Sequence, residues 1–156
     1  MPEPLPREAD ANDIVNKKKK YIKATFLNGA TTHAEETVYL EGWKDVGLRF
    51  HIQPCERTIG TSLTWNNWRI RGINRKRGHK RCDGKTIRGW HQHVWKNQCG
   101  DKWVESLAER LFGSPPDPQK IIQVSLDRWN IKPIGAIGEQ LPINFLQRGG
   151  ENGTTS

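Results

Sequence analysis

The sequence predicts an α+β fold in which a mainly antiparallel sheet of about five strands is followed by two C-terminal helices. Two observations predict this fold. Extended runs rich in β-branched and aromatic residues occur along the chain as far as residue 95. After Gly100 the apolar residues recur at intervals of three and four, which is the spacing of one helix face.

One folded domain is expected over residues 17–146 of the 156-residue chain. Residues 1–16 are rich in Pro and acidic residues and lack apolar periodicity, so we expect a flexible N-terminal arm. Residues 147–156 are expected to form a flexible tail. No internal repeat or change of composition marks a second domain.

Each predicted strand is a run of extended-type residues that ends at turn-forming residues. The strands are predicted at 21–27, 38–43, 47–53, 63–73 and 88–95. In the third, Leu48, Phe50 and Ile52 alternate with polar residues. Such alternation is typical of a strand with one buried face.

Two helices are predicted after these strands. The first has Asp101 as its N-cap and ends at Gly113. Its apolar face would consist of Val104, Leu107, Ala108 and Leu111. The second begins at Asp117, and its apolar residues are Ile121, Ile122, Val124, Leu126 and Trp129.

Composition predicts a soluble, cytoplasmic protein with no membrane partner. No run approaches the ~18 apolar residues that a membrane span needs, and the N-terminus lacks the pattern of a secretory signal. The odd number of cysteines, Cys55, Cys82 and Cys99, predicts reduced thiols rather than a disulfide framework. Phosphate-binding loop, dinucleotide and serine-hydrolase motifs are absent from the sequence.

The net charge of +8 is concentrated in one segment. Residues 69–88 contain nine Lys or Arg and one acid, Asp83, whereas the remaining residues carry no net charge. We predict that residues 74–85 form a loop that binds the phosphates of RNA or single-stranded DNA. A disordered basic loop with weak, nonspecific affinity is the alternative interpretation.

Aromatic residues flank this segment and could stack on bases. Trp68 and Trp90 are the best candidates for exposed stacking surfaces, although most Trp residues in such a chain belong to a core. The predicted nucleic-acid-binding residues are Arg69, Arg71, Arg75, Lys76, Arg77, Lys80, Arg81, Lys85, Arg88, Trp68 and Trp90.

His91 and His93 are two residues apart on a predicted strand, so their side chains share one face. The basic segment contributes a third histidine, His79. As general base and general acid, the pair could cleave RNA without a cofactor, by activating the 2′-hydroxyl and protonating the 5′-oxygen. Ordinary half-buried polar residues are the alternative interpretation.

A zinc site is a second possibility for the same residues. Its four ligands would be His79, Cys82, His91 and His93. Such a closed site would be structural and would anchor the basic loop. If Asp83 and a water replaced Cys82, the ion could instead activate hydrolysis.

Three segments of the chain resemble the TumE-like toxins and related families of prokaryotic toxin–antitoxin and defence loci. They are a His and Asp-Gly loop at 78–84, a His-x-His strand at 89–95 and a Gly-Asp-Lys-Trp turn at 100–103. The resemblance implies a toxin-type domain that acts on RNA and pairs with an antitoxin. It also implies that the family's functional histidines correspond to His79, His91 and His93.

We therefore predict a small basic ribonuclease of toxin type in which His91 and His93 transfer protons and His79 assists. A nonenzymatic nucleic-acid-binding or accessory protein would use the same basic segment only to dock. A third hypothesis is an inhibitor from a phage or mobile element, similar to an anti-CRISPR protein, that occupies the nucleic-acid path of a host effector. Under these hypotheses the partners are RNA or single-stranded nucleic acid, an antitoxin, or an effector protein.

Overall fold

The computed structural model describes residues 4–23, 33–53 and 58–134. Within them, eight strands and two α-helices are found, with one short 3-10 helix at Glu109–Leu111. In chain order they are α1 (Glu8–Asn16), β1 (Lys20–Lys23), β2 (His33–Leu40), β3 (Val46–Gln53), β4 (Thr58–Trp65), β5 (Trp68–Lys80), β6 (Thr86–Lys96), β7 (Gly100–Ser106), α2 (Pro118–Arg128) and β8 (Ile131–Ile134).

All eight strands belong to one sheet with the order β7-β6-β5-β4-β3-β2-β1-β8. Strands β1 to β7 follow one another as antiparallel neighbours, and β8 pairs in parallel with β1. The predicted fold of about five strands followed by two C-terminal helices is therefore wrong. The described part of the chain is mostly sheet, and one of its two helices precedes all of the strands.

The first predicted C-terminal helix is a strand. Residues 100–106 form β7, which pairs with β6 through His93 and Val104. A tight turn at Lys96–Gly100 brings the chain back beside β6, and the resulting ladder of backbone hydrogen bonds overrides the helix-like apolar spacing. The second helix is confirmed as α2, where the Asp117 carboxylate accepts a hydrogen bond from the Gln119 N–H.

The strand predicted at 63–73 is a hairpin of two strands. Asn66 and Asn67 both have positive φ angles, +51° and +68°, and reverse the chain between β4 and β5. Asn tolerates this left-handed conformation better than most residues, so the pair was a turn signal inside an otherwise extended run. Of the strand predicted at 21–27, residues 21–23 belong to β1 and residues 24–27 lie outside the described residues.

The prediction that residues 74–85 form a loop is also wrong. Strand β5 continues to Lys80, and β6 begins at Thr86, so only a short turn separates them. The basic segment is therefore a long β-hairpin, which we call the basic hairpin (residues 69–88). Backbone pairing with β6 gives this segment a defined shape despite its charge.

Part of the predicted flexible arm is folded. Residues 8–16 form α1, whose Ala11, Ile14 and Val15 are buried in the core. The Trp95 indole N–H donates a hydrogen bond to the Pro6 carbonyl, which ties the start of the segment to β6. The spacings of three and four between Ala11, Ile14 and Val15 are typical of one helix face, but three apolar residues among acidic ones were too few to predict a helix. The tail predicted at 147–156 lies outside the described residues.

The two faces of the sheet differ in chemistry. One face carries Leu48, Phe50 and Leu63 and packs against the helices. On that side the Thr61 hydroxyl contacts the Ser125 hydroxyl of α2, and the Trp129 indole N–H donates to the Gln92 side-chain oxygen.

Within the described residues, no helix is both long and apolar enough to cross a membrane.

A buried lysine at the start of β1, Lys20, caps the C-terminal end of α1. The Lys20 ammonium donates hydrogen bonds to the Ile14, Val15 and Lys17 carbonyls, which belong to the last turn of α1 or follow it. Burial lowers the pKa of Lys20 to about 8, so the side chain is still charged at pH 7. A cation here satisfies carbonyls that have no partner within the helix and complements the negative end of its dipole.

We expect Lys20→Met to lower the free energy of unfolding by about 2–3 kcal/mol, because it removes charged hydrogen bonds from buried carbonyls. Chemical denaturation would measure the change. Lys18→Met, at an exposed lysine two residues away, should change stability by less than about 0.5 kcal/mol. Equal effects of the two substitutions would contradict this role of Lys20.

Candidate functional site

The basic hairpin folds back over the face of the sheet opposite the helices, where His91 and His93 lie. Its register is regular as far as the pair Lys76 and Gly89, then shifts so that His79 lies opposite Ile87. Ile87 and His91 are four residues apart on β6, which is roughly 13 Å along a flat strand. Yet the ring centroids of His79 and His91 are only 5.2 Å apart. The hairpin must therefore bend sharply at the register shift.

The tip of the hairpin is anchored to the turn between β6 and β7 and to the edge of β7. A disulfide joins Cys82 at the tip to Cys99, so the prediction of reduced thiols is wrong for these two cysteines. Arg81 donates to the Val104 carbonyl, 3.4 Å away, and its guanidinium lies 3.9 Å from the centroid of the Trp103 ring. Cys55 lies outside the described residues.

The fold-back brings three histidines together. His91 and His93 share one face of β6, as strand alternation predicted, and their ring centroids are 4.9 Å apart. The centroid of His79 is 4.9 Å from that of His93. One nitrogen from each ring lies within 4.8 Å of the others, so these residues can form a metal-binding site. We call them the histidine cluster.

Backbone carbonyls orient each ring. The Nδ1 atoms of His91 and His93 lie 3.0 Å from the Gly89 oxygen and 2.8 Å from the Asp101 oxygen. The Nδ1 atom of His79 lies 3.3 Å from the oxygen of Lys80. A carbonyl oxygen can only accept, so each Nδ1 is the donor, and in the neutral form of such a ring the lone pair lies on Nε2. Metal-binding histidines in proteins commonly have this arrangement.

His93 is held neutral by its surroundings. Its side chain is 2% exposed, and burial, followed by the positive charge of Arg69, lowers its pKa to about 3. Arg69 is itself fixed by an ion pair of 2.8 Å with the Asp101 carboxylate. The Nε2 atom of His93 is buried and makes no hydrogen bond within the described residues. A metal ion would supply the partner that this lone pair lacks.

The four-ligand zinc site predicted from the sequence does not form in this state. Cys82 is bonded to Cys99 and is therefore not a thiolate ligand. Asp83 is likewise engaged with Arg81, whose hydrogen bonds hold the pKa of the carboxyl to about 2. The histidine cluster alone supplies three ligands, which leaves one tetrahedral position for another group.

The predicted acid–base pair sits in an unfavourable environment for proton transfer to RNA. His91 is 0% exposed and His93 is 2% exposed. A general acid must be protonated before it acts, and a pKa of about 3 leaves His93 neutral near pH 7. The pair is brought together as predicted, but beneath the hairpin rather than on an accessible surface.

Three of the predicted nucleic-acid-binding arginines have structural partners. Arg69 pairs with Asp101, and Arg81 pairs with Asp83 at 2.7 Å. Arg71 is buried and donates to the Asn12 side chain of α1 and to the Ile70 carbonyl. Their positive charges are thus partly or wholly committed to the fold.

The other basic residues of the hairpin lie toward solvent where the structure describes them. Lys80, Lys85 and Arg88 are exposed. Arg75 is also exposed, and its guanidinium lies 3.6 Å from the Glu109 carboxylate. Lys76 and Arg77 belong to β5, but their side chains are outside the described part of the structure.

The two tryptophans proposed as stacking surfaces belong to packed regions. Trp90 is 2% exposed and stacks on Phe112 with 4.0 Å between ring centroids, so its prediction as an exposed platform is wrong. Trp68 is half-buried, and its ring packs edge-on against Trp95 at 5.8 Å. The sequence did not predict which face of the sheet Trp68 occupies, because it treated β4 and β5 as one strand.

Two further residues, Asn74 and His51, lie beside the cluster; the sequence did not point to Asn74, and it favoured an ordinary surface histidine for His51. Asn74 pairs with His91 across β5 and β6, is buried, and its side-chain oxygen has no hydrogen-bond partner among the described residues. Gly60 separates Asn74 from His51, whose ring atom Cε1 lies 2.9 Å from where a side chain on Gly60 would begin. Burial and the charge of Arg69 lower the pKa of His51. Only strand order places these residues in one row.

Comparison with known proteins adds no assignment to this geometry. No protein-family model, curated protein or solved structure matches the chain. The resemblance to TumE-like toxins stays a prediction.

In metal-free protein, stability should fall as the pH is lowered from 6.5 toward 3. The unfolded chain protonates His93 near pH 6.5, whereas the folded protein resists protonation until about pH 3. At pH 5 this residue alone should cost about 2 kcal/mol relative to pH 7. Denaturation in a chelating buffer at each pH would measure the loss.

His93→Asn is the matched variant, because its amide N–H can replace the Nδ1–H donated to the Asp101 carbonyl without titrating. The variant should show a smaller loss of stability between pH 7 and pH 5 than the natural protein. The same pH dependence in both proteins would contradict the assigned environment of His93.

Proposed function

We propose that the protein binds single-stranded nucleic acid through the basic hairpin, and that zinc in the histidine cluster holds the hairpin in its bent shape. The observation that carries this proposal is the fold-back, which lays His79 over His91 and His93 while Lys80 and Lys85 remain exposed. In this proposal the buried histidines maintain the shape of the surface, and the exposed cations contact phosphate.

Zinc fits the ligand set best. Imidazole nitrogen is a preferred zinc ligand, and three histidines with a fourth position left for water form a common tetrahedral arrangement. In His93 the backbone contact at Nδ1 leaves the buried Nε2 to face a metal ion without a change of tautomer. When bound, zinc would link β5 to β6 across the bend, where the ladder between the two strands is interrupted.

Phosphate binding is supported by the exposed lysines of the hairpin, since Arg69, Arg71 and Arg81 have partners within the fold. Lys80 at the end of β5 and Lys85 in the turn are exposed, and Asp83, the only acid in residues 69–88, is paired with Arg81. Since cations held close together repel one another, a polyanion would stabilise this arrangement. Release of counterions would then make the affinity strongly dependent on salt.

The toxin-type ribonuclease receives less support from the same geometry. Metal-independent cleavage requires an imidazolium and access to the 2′-hydroxyl, whereas His91 and His93 are buried and His93 is neutral. If the natural protein cleaves RNA in the presence of a chelator and the His91→Ala/His93→Ala variant does not, the ribonuclease hypothesis would replace the present proposal. The choice between an antitoxin and a host effector as protein partner has no specific support in the geometry.

Purified protein that is stripped of metal and supplied with zinc should retain about one zinc ion per chain, measured by elemental mass spectrometry after desalting. His79→Ala should weaken zinc binding by on the order of 100-fold, since changes to outer partners of a metal site already cost roughly 10–100-fold. His79 is the least buried member of the cluster, so this variant is the least disruptive to the core.

His33→Ala is the control, because His33 is an exposed histidine on β2 that is not part of the cluster. It should retain zinc as the natural protein does. Absence of zinc from the natural protein, or equal retention by the two variants, would contradict a zinc site at the histidine cluster.

Binding to a single-stranded RNA oligonucleotide should weaken steeply as salt is raised. In the Lys80→Glu/Lys85→Glu variant, the slope of log affinity against log salt should decrease in magnitude by about 1.4, from ~0.7 for each lost phosphate contact. Fluorescence anisotropy over a series of salt concentrations would measure it.

Lys18→Glu/Lys19→Glu makes the same change of charge at two exposed lysines between α1 and β1. It should leave the slope close to that of the natural protein. If both double variants reduce the slope equally, binding follows net charge, and the basic hairpin is not the contact surface.

A further inference from the structure

The disulfide and the histidine cluster close the same hairpin. His79 and Cys82 are three residues apart on the folded-back segment. Their partners, His91, His93 and Cys99, all belong to β6 or to the turn after it. Each link therefore holds the tip of the hairpin against one rigid part of the sheet.

We propose that zinc binding and the Cys82–Cys99 disulfide stabilise each other, so that reduction of the disulfide weakens zinc binding at the histidine cluster. This inference rests on the zinc site proposed above. It adds that the site responds to the thiol redox state of its surroundings.

The physical cause is the cost of closing the hairpin. While the disulfide is intact, His79 stays near His91 and His93, and zinc binds ligands that are already assembled. After reduction, the described side-chain contacts from the tip to β7 are those of Arg81 with Val104 and Trp103. His79 must then be brought back at an entropic cost that lowers the apparent zinc affinity.

Reduction is a two-electron step. A dithiol reductant supplies two electrons and two protons, becomes a disulfide itself, and leaves Cys82 and Cys99 as thiols. The coupling must be reciprocal: the factor by which the disulfide raises zinc affinity equals the factor by which zinc favours the disulfide over the two thiols.

Reduction of the disulfide could also raise the zinc affinity, through a second effect. Freed Cys82 has His-x-x-Cys spacing with His79, and as a thiolate it could become a fourth zinc ligand. Reduction would then tighten binding. A variant without either thiol separates this effect from the mechanical one.

The test measures zinc affinity by competition with a chromogenic chelator in three forms, all carrying Cys55→Ser to remove the third thiol. The forms are the oxidised protein, the protein reduced with a dithiol that is then removed without air, and the Cys82→Ser/Cys99→Ser variant. We expect the reduced protein and the double variant to bind zinc about equally, and on the order of 10-fold or more weaker than the oxidised protein.

Equal affinity in all three forms would overturn the coupling while leaving the zinc site intact. Tighter binding by the reduced protein than by both the oxidised protein and the double variant would also overturn it and would make Cys82 a ligand. No zinc binding in any form would overturn both the coupling and the zinc site. Circular dichroism of each form would show whether the double variant is folded, and the reduced protein provides the same comparison without a substitution.

The reciprocal measurement is the thiol–disulfide equilibrium of Cys82 and Cys99 in a glutathione buffer at fixed free zinc. Saturating zinc should shift this equilibrium toward the disulfide by the same factor found for zinc affinity. In His79→Ala the shift should be lost, although both cysteines remain. An undiminished shift in His79→Ala would show that zinc acts through other ligands and would overturn the proposal.

Discussion

The fold-back of the basic hairpin is the constraint on which the rest of the site depends. Without the bend at the register shift, His79 would lie roughly 13 Å along the strand from His91 instead of above it. The Cys82–Cys99 disulfide and the contacts of Arg81 with β7 hold this shape. One bent ladder thus creates both an enclosed cluster of imidazoles and an outer surface of cations.

Residues 90–95 of β6 are buried on both sides of the sheet, and their polar groups find different partners on the two sides. Toward the helices, Trp90 stacks on Phe112, and the Gln92 side chain accepts the indole N–H of Trp129. Toward the hairpin, His91 and His93 each use one ring nitrogen to bond a backbone carbonyl. The Nε2 atom of His93 is buried without a hydrogen-bond partner among the described residues, which is costly for a polar group, and the proposed zinc ion would supply that partner.

Positive charge in this chain serves two separate purposes. Arg69, Arg71 and Arg81 connect strands, helix α1 and the hairpin tip through ion pairs and hydrogen bonds. Lys80 and Lys85 remain on the surface. A count of basic residues therefore overstates the charge available to a polyanion, and the structural arginines are poor targets for testing nucleic-acid binding because their loss would also disturb the fold.

Sequence alone determined what depends on neighbours along the chain: the shared face of His91 and His93, the start of α2 at its Asp117 cap, and the concentration of charge in residues 69–88. Only the tertiary structure decided what depends on pairing between distant residues. Strand pairing converted a helix-like spacing into β7, and the bend brought His79 onto the pair. The disulfide partner of Cys82 was equally hidden, because strand alternation is a local property, whereas register, bending and cross-links arise from contacts between separate strands.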